Sequence, residues 1–160
     1  MNLALIFAGG TGTRMNSKTK PKQFLELNGK PIIIHTIELF ESHPEIDAIA
    51  VVCLESWIGY LNELLERFRI KKVKYVVPGG ETGQQSIRNG LTAFWDDQDI
   101  PRDSLVLIHD GVRPLINEDI ITRSIECAKQ YGNAITVTPA IETIITVSED
   151  DSVDQIMDRS

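Results

Sequence analysis

Runs of aliphatic and β-branched residues recur at positions 3–8, 48–53, 74–77 and 104–108, and the segments between them repeat their apolar residues three and four apart. A short run with little polar alternation is a strand buried on both faces, and the helical period between runs supplies the layers that bury it. The pattern therefore specifies an α/β chain: a Rossmann-like open, mostly parallel sheet with helices on both faces. Residues 22–27 read as extended and Asn28-Gly29 as a turn. Pro31 opens a helix burying Ile34, Ile37 and Phe40. Ser56 is expected to cap a helix with Leu61, Leu64, Leu65 and Phe68 inward, and Thr82 to begin one with Ile87, Leu91 and Phe94 inward. Residues 104–108 read as a fully buried strand. A helix over 117–131 and a strand around 134–137 complete the expected sheet.

Residues 143–147 and 153–157 are β-prone runs separated by SEDDS, which predicts a β-hairpin arm outside the alternating core. The expected organisation is one α/β core over 1–142 and an arm over 143–160, with no repeat or second complete domain. Of the 160 residues 42% are hydrophobic and 24% charged, enough for one sizeable core. The longest apolar runs are too short to span a bilayer and no charged leader precedes them, so a cytoplasmic protein is expected. Cys53 and Cys127, without metal-ligand spacing, read as small core residues rather than a disulfide or ligand pair.

The first strand runs into AGGTGTRM, with glycine at 9, 10 and 12. Such a loop brings peptide N–H groups close to a bulky anion. Arg14, Lys18, Lys20, Lys22 and Lys30 stand against Glu26 alone in the first thirty residues of a chain whose net charge is −7. A basic stretch confined to one glycine loop of an acidic protein excludes nucleic acid and anionic membrane as partners and points to a small polyanion. For Lys18 and Lys20 a purely solubilising role remains equally open. A dinucleotide fingerprint would need a third glycine where this chain has Thr13, Arg14 and Met15, and a Walker A loop would need a closing Gly-Lys-Ser/Thr. An NAD-linked oxidoreductase and an ordinary ATPase are thereby disfavoured.

Asp110 falls where the run 104–108 ends, at the edge where open α/β sheets place their ligands. A carboxylate there can hold a magnesium ion that bridges nucleotide phosphates, or can simply make an Asp-Gly turn. His109 reads as structural.

The glycine loop with Arg14-Met15, followed by PKQF, PGGETGQQSIRNGL and HDGVRP in that order, resembles the methylerythritol-phosphate and ribitol-phosphate cytidylyltransferases, over essentially the whole chain. The resemblance implies a sheet of the nucleotide-diphospho-sugar transferase type. It implies that Ala8, Gly9, Gly10, Thr11 and Gly12 wrap the triphosphate of CTP, and that Arg14 and Lys22 act as catalytic cations. It also assigns Gly80 and Ser86 to the base and ribose, Asp110 to Mg2+, Arg113 to orienting a carboxylate or phosphate, and Thr143 and Arg159 to the acceptor phosphate. The implied partners are CTP, a polyol phosphate and a second copy of the chain joined through the arm. CTP in preference to UTP rests on the resemblance alone. Sugar-1-phosphate nucleotidyltransferases using UTP or dTTP share the loop.

Two departures refine the expectation. Arg14 and Lys22 are eight positions apart, one more than in the methylerythritol enzymes. Where those enzymes carry aspartate-threonine, an apolar residue and lysine, this chain reads Glu142-Thr143-Ile144-Ile145. The lost lysine, with HDGVRP in place of the alanine-pair version, favours D-ribitol 5-phosphate, a precursor for teichoic acid or capsule, over the methylerythritol substrate of isoprenoid synthesis. The resemblance further implies a C-terminal continuation, so the chain reads as truncated, and a non-catalytic nucleotide-binding and dimerisation module is a second expectation.

Overall fold

The structure is a computed structural model that describes residues 1–10, 20–139 and 141–158. Strands β1 (Asn2–Ala8), β4 (Ala48–Cys53), β5 (Val73–Pro78) and β6 (Leu105–Asp110) form one sheet in the order β5-β4-β1-β6, every pair parallel. Parallel neighbours need long crossovers. Helices α1 (Ile32–Ser42), α2 (Ile58–Arg67) and α3 (Gly83–Asp96) lie on the three connections.

The two faces of β1 have separate cores, as the period of two along a strand requires. Ala4, Ile6 and Ala8 pack with Ile49, Val51 and Cys53 against Phe24, α1, α2 and α4 (Glu118–Tyr131). Leu3 and Leu5 pack with Ala48, Ala50 and Val52 against Phe94 of α3 and Ile100. Each fully buried leucine, isoleucine or phenylalanine contributes about 1.5–3 kcal/mol over its exposed state, so this two-sided burial fixes the register of β1.

Several local expectations are corrected. Residues 22–24 are not extended. Pro21 sets the entry, the Phe24 N–H donates to the Pro21 carbonyl at 2.9 Å, and Lys22–Phe24 form a 3-10 turn that drives Phe24 into the core. Only Glu26–Leu27 (β2) and Lys30–Pro31 (β3) are strands, joined by Asn28 and Gly29 at φ of 52° and 75°. Ser56 caps no helix: it lies in the 3-10 turn Glu55–Trp57, and α2 starts at Ile58 without a side-chain cap.

Helix α3 buries Ser86, Gly90 and Phe94 rather than a stripe through Leu91, which is 36% exposed. The stripe runs through a glycine because a Cβ at 90 would lie 2.7 Å from Leu5 Cδ1 and 2.9 Å from Val52 Cγ2. Hydropathy gives glycine no weight, so the helix face was displaced by one position in the sequence reading.

The fully buried strand expected at 104–108 is a half-covered one. β6 lies at the edge of the sheet among the described residues, and Ile108 is 47% exposed. The strand expected around 134–137 does not form: α4 ends at Gly132, and Ile135 and Val137 are each 83% exposed. β-Propensity becomes a strand only when a neighbour completes the backbone hydrogen bonds, and no strand among the described residues does so here.

The expected hairpin is present. β7 (Ile145–Val147) and β8 (Val153–Ile156) pair antiparallel, with Ile145 opposite Ile156, and every residue of both strands is exposed.

Candidate active site

Parallel strands end together, so the loops after β1, β4, β5 and β6 open at one edge of the sheet. The loop after β1 begins Gly9-Gly10, and the loop after β5 is Gly79-Gly80. The Gly79 N–H donates to the Cys53 carbonyl at 2.8 Å, which ties the second loop to the end of β4. The two glycine loops then meet without side chains between them. A Cβ on Gly9 would lie 3.4 Å from Gly79 Cα and 3.1 Å from Ser86 Oγ, and one on Gly79 would lie 3.3 Å from Gly9 Cα.

Ser86 stands at this meeting point because of how α3 begins. Thr82 accepts the Gln85 N–H at 3.1 Å, and Gln85 Oε1 accepts the Glu81 and Thr82 N–H groups at 2.8 and 3.2 Å. This capping box fixes the first turn and carries Ser86 inward, where it is 4% exposed and its Oγ accepts the Gly80 N–H at 3.1 Å. The positive end of the helix dipole therefore faces the glycine loops, a favourable place for an anion. A shallow cleft of about 690 Å³ opens beside them, lined by Gly79, Gly80, Glu81, Gln85, Arg88 and Asn89.

Asp110 ends β6, whose register places it beside Phe7 of β1. Its Oδ1 accepts the Val112 N–H at 3.1 Å, and its Oδ2 accepts Arg113 Nε at 3.2 Å. Arg113 thus orients the carboxylate, while His109 Nε2 lies 3.0 Å from the Arg113 carbonyl oxygen with its ring against Phe40. As a hard oxygen donor, Asp110 fits a magnesium ion held mainly by phosphate and water, which needs only one or two protein carboxylates. No group of three His, Cys, Asp or Glu side chains able to hold a metal ion exists among the described residues.

Lys22 begins the turn that leads back to the glycine loop. Its neighbours on the C-terminal side hold it there. Phe24 is fully buried, with its ring stacked on Trp57 at 5.0 Å and edge-on to Tyr60 at 5.4 Å. Gln23 Nε2 donates to the Ala8 carbonyl at 2.7 Å and to the Gly10 carbonyl at 3.3 Å.

The structure thus brings Ala8, Gly9, Gly10, Gly80 and Ser86 together at the sheet edge, with Asp110 ending the neighbouring strand, Arg113 bonded to it, and Lys22 beside Gln23, which bonds the Ala8 and Gly10 carbonyls. Thr143 is exposed at the root of the arm. Thr11, Gly12, Arg14 and Arg159 lie outside the described residues, as does Lys18. The sequence reading missed Gln23 and Gly79. A signal was present for both: an amide between Lys22 and the buried Phe24, and a glycine doublet closing a strand.

Cys53 underlies the same edge. Burial pushes its thiol from 9.0 up to about 11. Tyr75, which donates to Asp97, is raised to about 12 chiefly by that bond. Both folded values exceed the unfolded ones, so the contribution of each is complete at low pH and is lost between pH 9.0 and about 11 for Cys53 and between 10.0 and about 12 for Tyr75. The unfolding midpoint, followed by circular dichroism, should fall over that range, and less steeply in Cys53→Ala. A midpoint independent of alkaline pH would contradict the burial of the thiol.

Three comparisons bear on this arrangement. The family model for IspD, 2-C-methyl-D-erythritol 4-phosphate cytidylyltransferase, matches residues 2–160. A ribitol-5-phosphate cytidylyltransferase from Vibrio parahaemolyticus is 59% identical over 160 residues, covering 100% of this chain and 66% of the relative. A 2-C-methyl-D-erythritol 4-phosphate cytidylyltransferase from Clostridium acetobutylicum is 40% identical, covering 100% of this chain and 67% of that protein. The crystal structure of 4-diphosphocytidyl-2C-methyl-D-erythritol synthase from Anaerococcus prevotii superposes with a TM-score of 0.78 at 27% identity, over 98% of this chain and 63% of that one. The chain accordingly spans about 66% of the length of its ribitol-phosphate relatives. A glycine-lined cradle at the carboxyl edge of a parallel sheet and a family match along nearly every residue lead to one conclusion: the chain belongs to the IspD, 2-C-methyl-D-erythritol 4-phosphate cytidylyltransferase, family.

Proposed function

We propose that this chain carries the nucleotide site of a CTP-dependent cytidylyltransferase that transfers CMP to a polyol phosphate, D-ribitol 5-phosphate in preference to 2-C-methyl-D-erythritol 4-phosphate. The observation that carries the reading is the apposition of Gly9 and Gly79 over Ser86, with Asp110 ending the neighbouring strand on the other side of β1. Relatives at 59% and 52% identity bear the ribitol name, which supports the choice of acceptor.

In this reading a phosphate oxygen of the acceptor attacks the α-phosphorus of CTP in line, the bond from that phosphorus to the bridging oxygen breaks, and pyrophosphate departs with the electron pair. Such transfers need positioned positive charge more than a protein nucleophile. The glycine loops bind the phosphates by backbone N–H groups, Lys22 and Arg14 offset the charge that develops on them, and Ser86 with Gly80 orients the base and ribose. Asp110, held by Arg113, is the residue that would hold a magnesium ion. When bound, the ion would neutralise phosphate charge.

Thr143 and Arg159 are proposed to take the acceptor phosphate. The arm is proposed to join two copies of the chain, since a lone two-stranded hairpin is marginal in water and this one exposes Ile145, Val147, Val153 and Ile156. The membrane has no part in the reading, and no helix among the described residues is long and apolar enough to cross one.

The test is pyrophosphate release with CTP and magnesium, D-ribitol 5-phosphate against 2-C-methyl-D-erythritol 4-phosphate. Faster release with ribitol phosphate is expected. Preference for the methylerythritol substrate would reassign the acceptor, and CTP binding without release from either would identify a non-catalytic nucleotide-binding module.

A further inference from the structure

Gln23 is 1% exposed, yet its side chain is polar and its Oε1 has no hydrogen-bond partner among the described residues. Its Nε2 faces the Ala8 and Gly10 carbonyl oxygens. The reverse amide orientation would set three oxygens against one another, so the assignment of donor and orphaned acceptor is fixed by the surroundings. A buried amide whose oxygen finds no partner among the described residues is a poor choice for packing alone, because an apolar side chain of similar shape would bury no such oxygen.

The two accepted bonds have a consequence for the cradle. In a trans peptide the carbonyl and the N–H point in opposite directions. Drawing the Ala8 carbonyl inward, onto a buried side chain, turns the N–H across that peptide plane, that of Gly9, outward. The side chain that holds the start of this loop by two carbonyls thereby sets the direction of the Gly9 donor, and it does so from the position next to Lys22.

We propose that Gln23 is a positioning residue of the nucleotide cradle, holding the Ala8 and Gly10 carbonyls so that the Gly9 N–H is aimed at the phosphate tail of the nucleotide. The inference rests on the nucleotide reading given above. It adds a residue that touches no substrate. Its effect is confined to the phosphate tail, because Ser86 and Gly80, which face the base and ribose in that reading, are held by the α3 capping box and make no bond to Gln23.

The experiment measures CTP and CMP affinities by calorimetry, with thermal unfolding alongside, for the unmodified chain and Gln23→Met. Methionine keeps the length and burial but donates nothing. The ratio of CTP to CMP affinity should fall about tenfold while the unfolding midpoint moves by only a few degrees. Equal weakening of both nucleotides, or an unchanged ratio, would overturn the positioning role. Failure of the unmodified chain to bind CTP would overturn the nucleotide reading itself, and the inference with it. If Gln23→Met does not fold, Gln23→Glu takes its place. Burial keeps that carboxyl protonated near pH 6, where it retains one donor and should give an intermediate ratio. An unchanged ratio in that variant would equally overturn the proposal.

Discussion

Gly79→Val should lower CTP affinity by at least about a hundredfold, equivalent to about 2.7 kcal/mol of binding free energy. A Cβ at this position would lie 3.3 Å from Gly9 Cα, 3.3 Å from Ser86 Oγ and 3.6 Å from the Cys53 carbonyl oxygen. The first is a backbone atom anchored at the end of β1 and cannot swing aside, the last is an ordinary contact, and the γ-methyls of valine add bulk at both. The glycine loops must separate, which breaks the bond from the Gly80 N–H to Ser86. Overpacking of this kind also destabilises the fold by about 1–3 kcal/mol, so affinity has to be read beside the unfolding midpoint.

Gly10→Ala supplies the control. No heavy atom among the described residues lies within 4 Å of a Cβ built there. That variant should unfold as the parent does, and any loss of CTP affinity then reports the approach of the ligand to residue 10. Parental affinity in Gly79→Val would show that CTP binds somewhere other than between the two loops.

For Lys22→Ala the expected result is a fall in the rate of pyrophosphate release of about 10²- to 10³-fold, with CTP affinity changed by less than about tenfold. The reason is positional. Pro21 stiffens the approach to Lys22, Gln23 is tied to the Ala8 and Gly10 carbonyls, and Phe24 is locked in the aromatic group with Trp57 and Tyr60. The lysine therefore leaves a rigid turn at the edge of the cradle. A cation held in place gains most where negative charge grows during the reaction, so its removal should slow turnover more than binding. Single-turnover kinetics at saturating CTP separates the two effects. Equal losses in rate and affinity would assign Lys22 to ground-state binding only, and unchanged turnover would remove it from the site.

The alternation of apolar runs with helical segments was enough to identify the parallel strands that carry the site. Runs as apolar as 3–8 and 48–53 are stable only when covered on both sides, and the structure covers them with two separate cores. The order of the glycine loop, PKQF, PGGETGQQSIRNGL and HDGVRP was likewise legible, because each departs from what a strand or helix alone would select. Less legible was anything set by close approach. Gly90 marks the buried face of α3, although glycine carries no hydropathy. Ser56 had the chemistry of a cap but lies in a 3-10 turn, and α2 starts at Ile58 without a side-chain cap.

What the sequence determined by itself was the layered α/β architecture, the placement of a glycine-rich loop after the first strand, and the family, all of which follow from local pattern and residue order. Tertiary structure alone decided which glycine meets which, that Gln23 turns inward to hold two carbonyls, and that residues 133–139 stay outside the sheet. These outcomes depend on atoms distant in the chain coming within a few ångströms, and local pattern carries no information about such distances. Strand propensity at Ile135 and Val137 could state a preference, but only a neighbouring backbone with free donors and acceptors could have satisfied it.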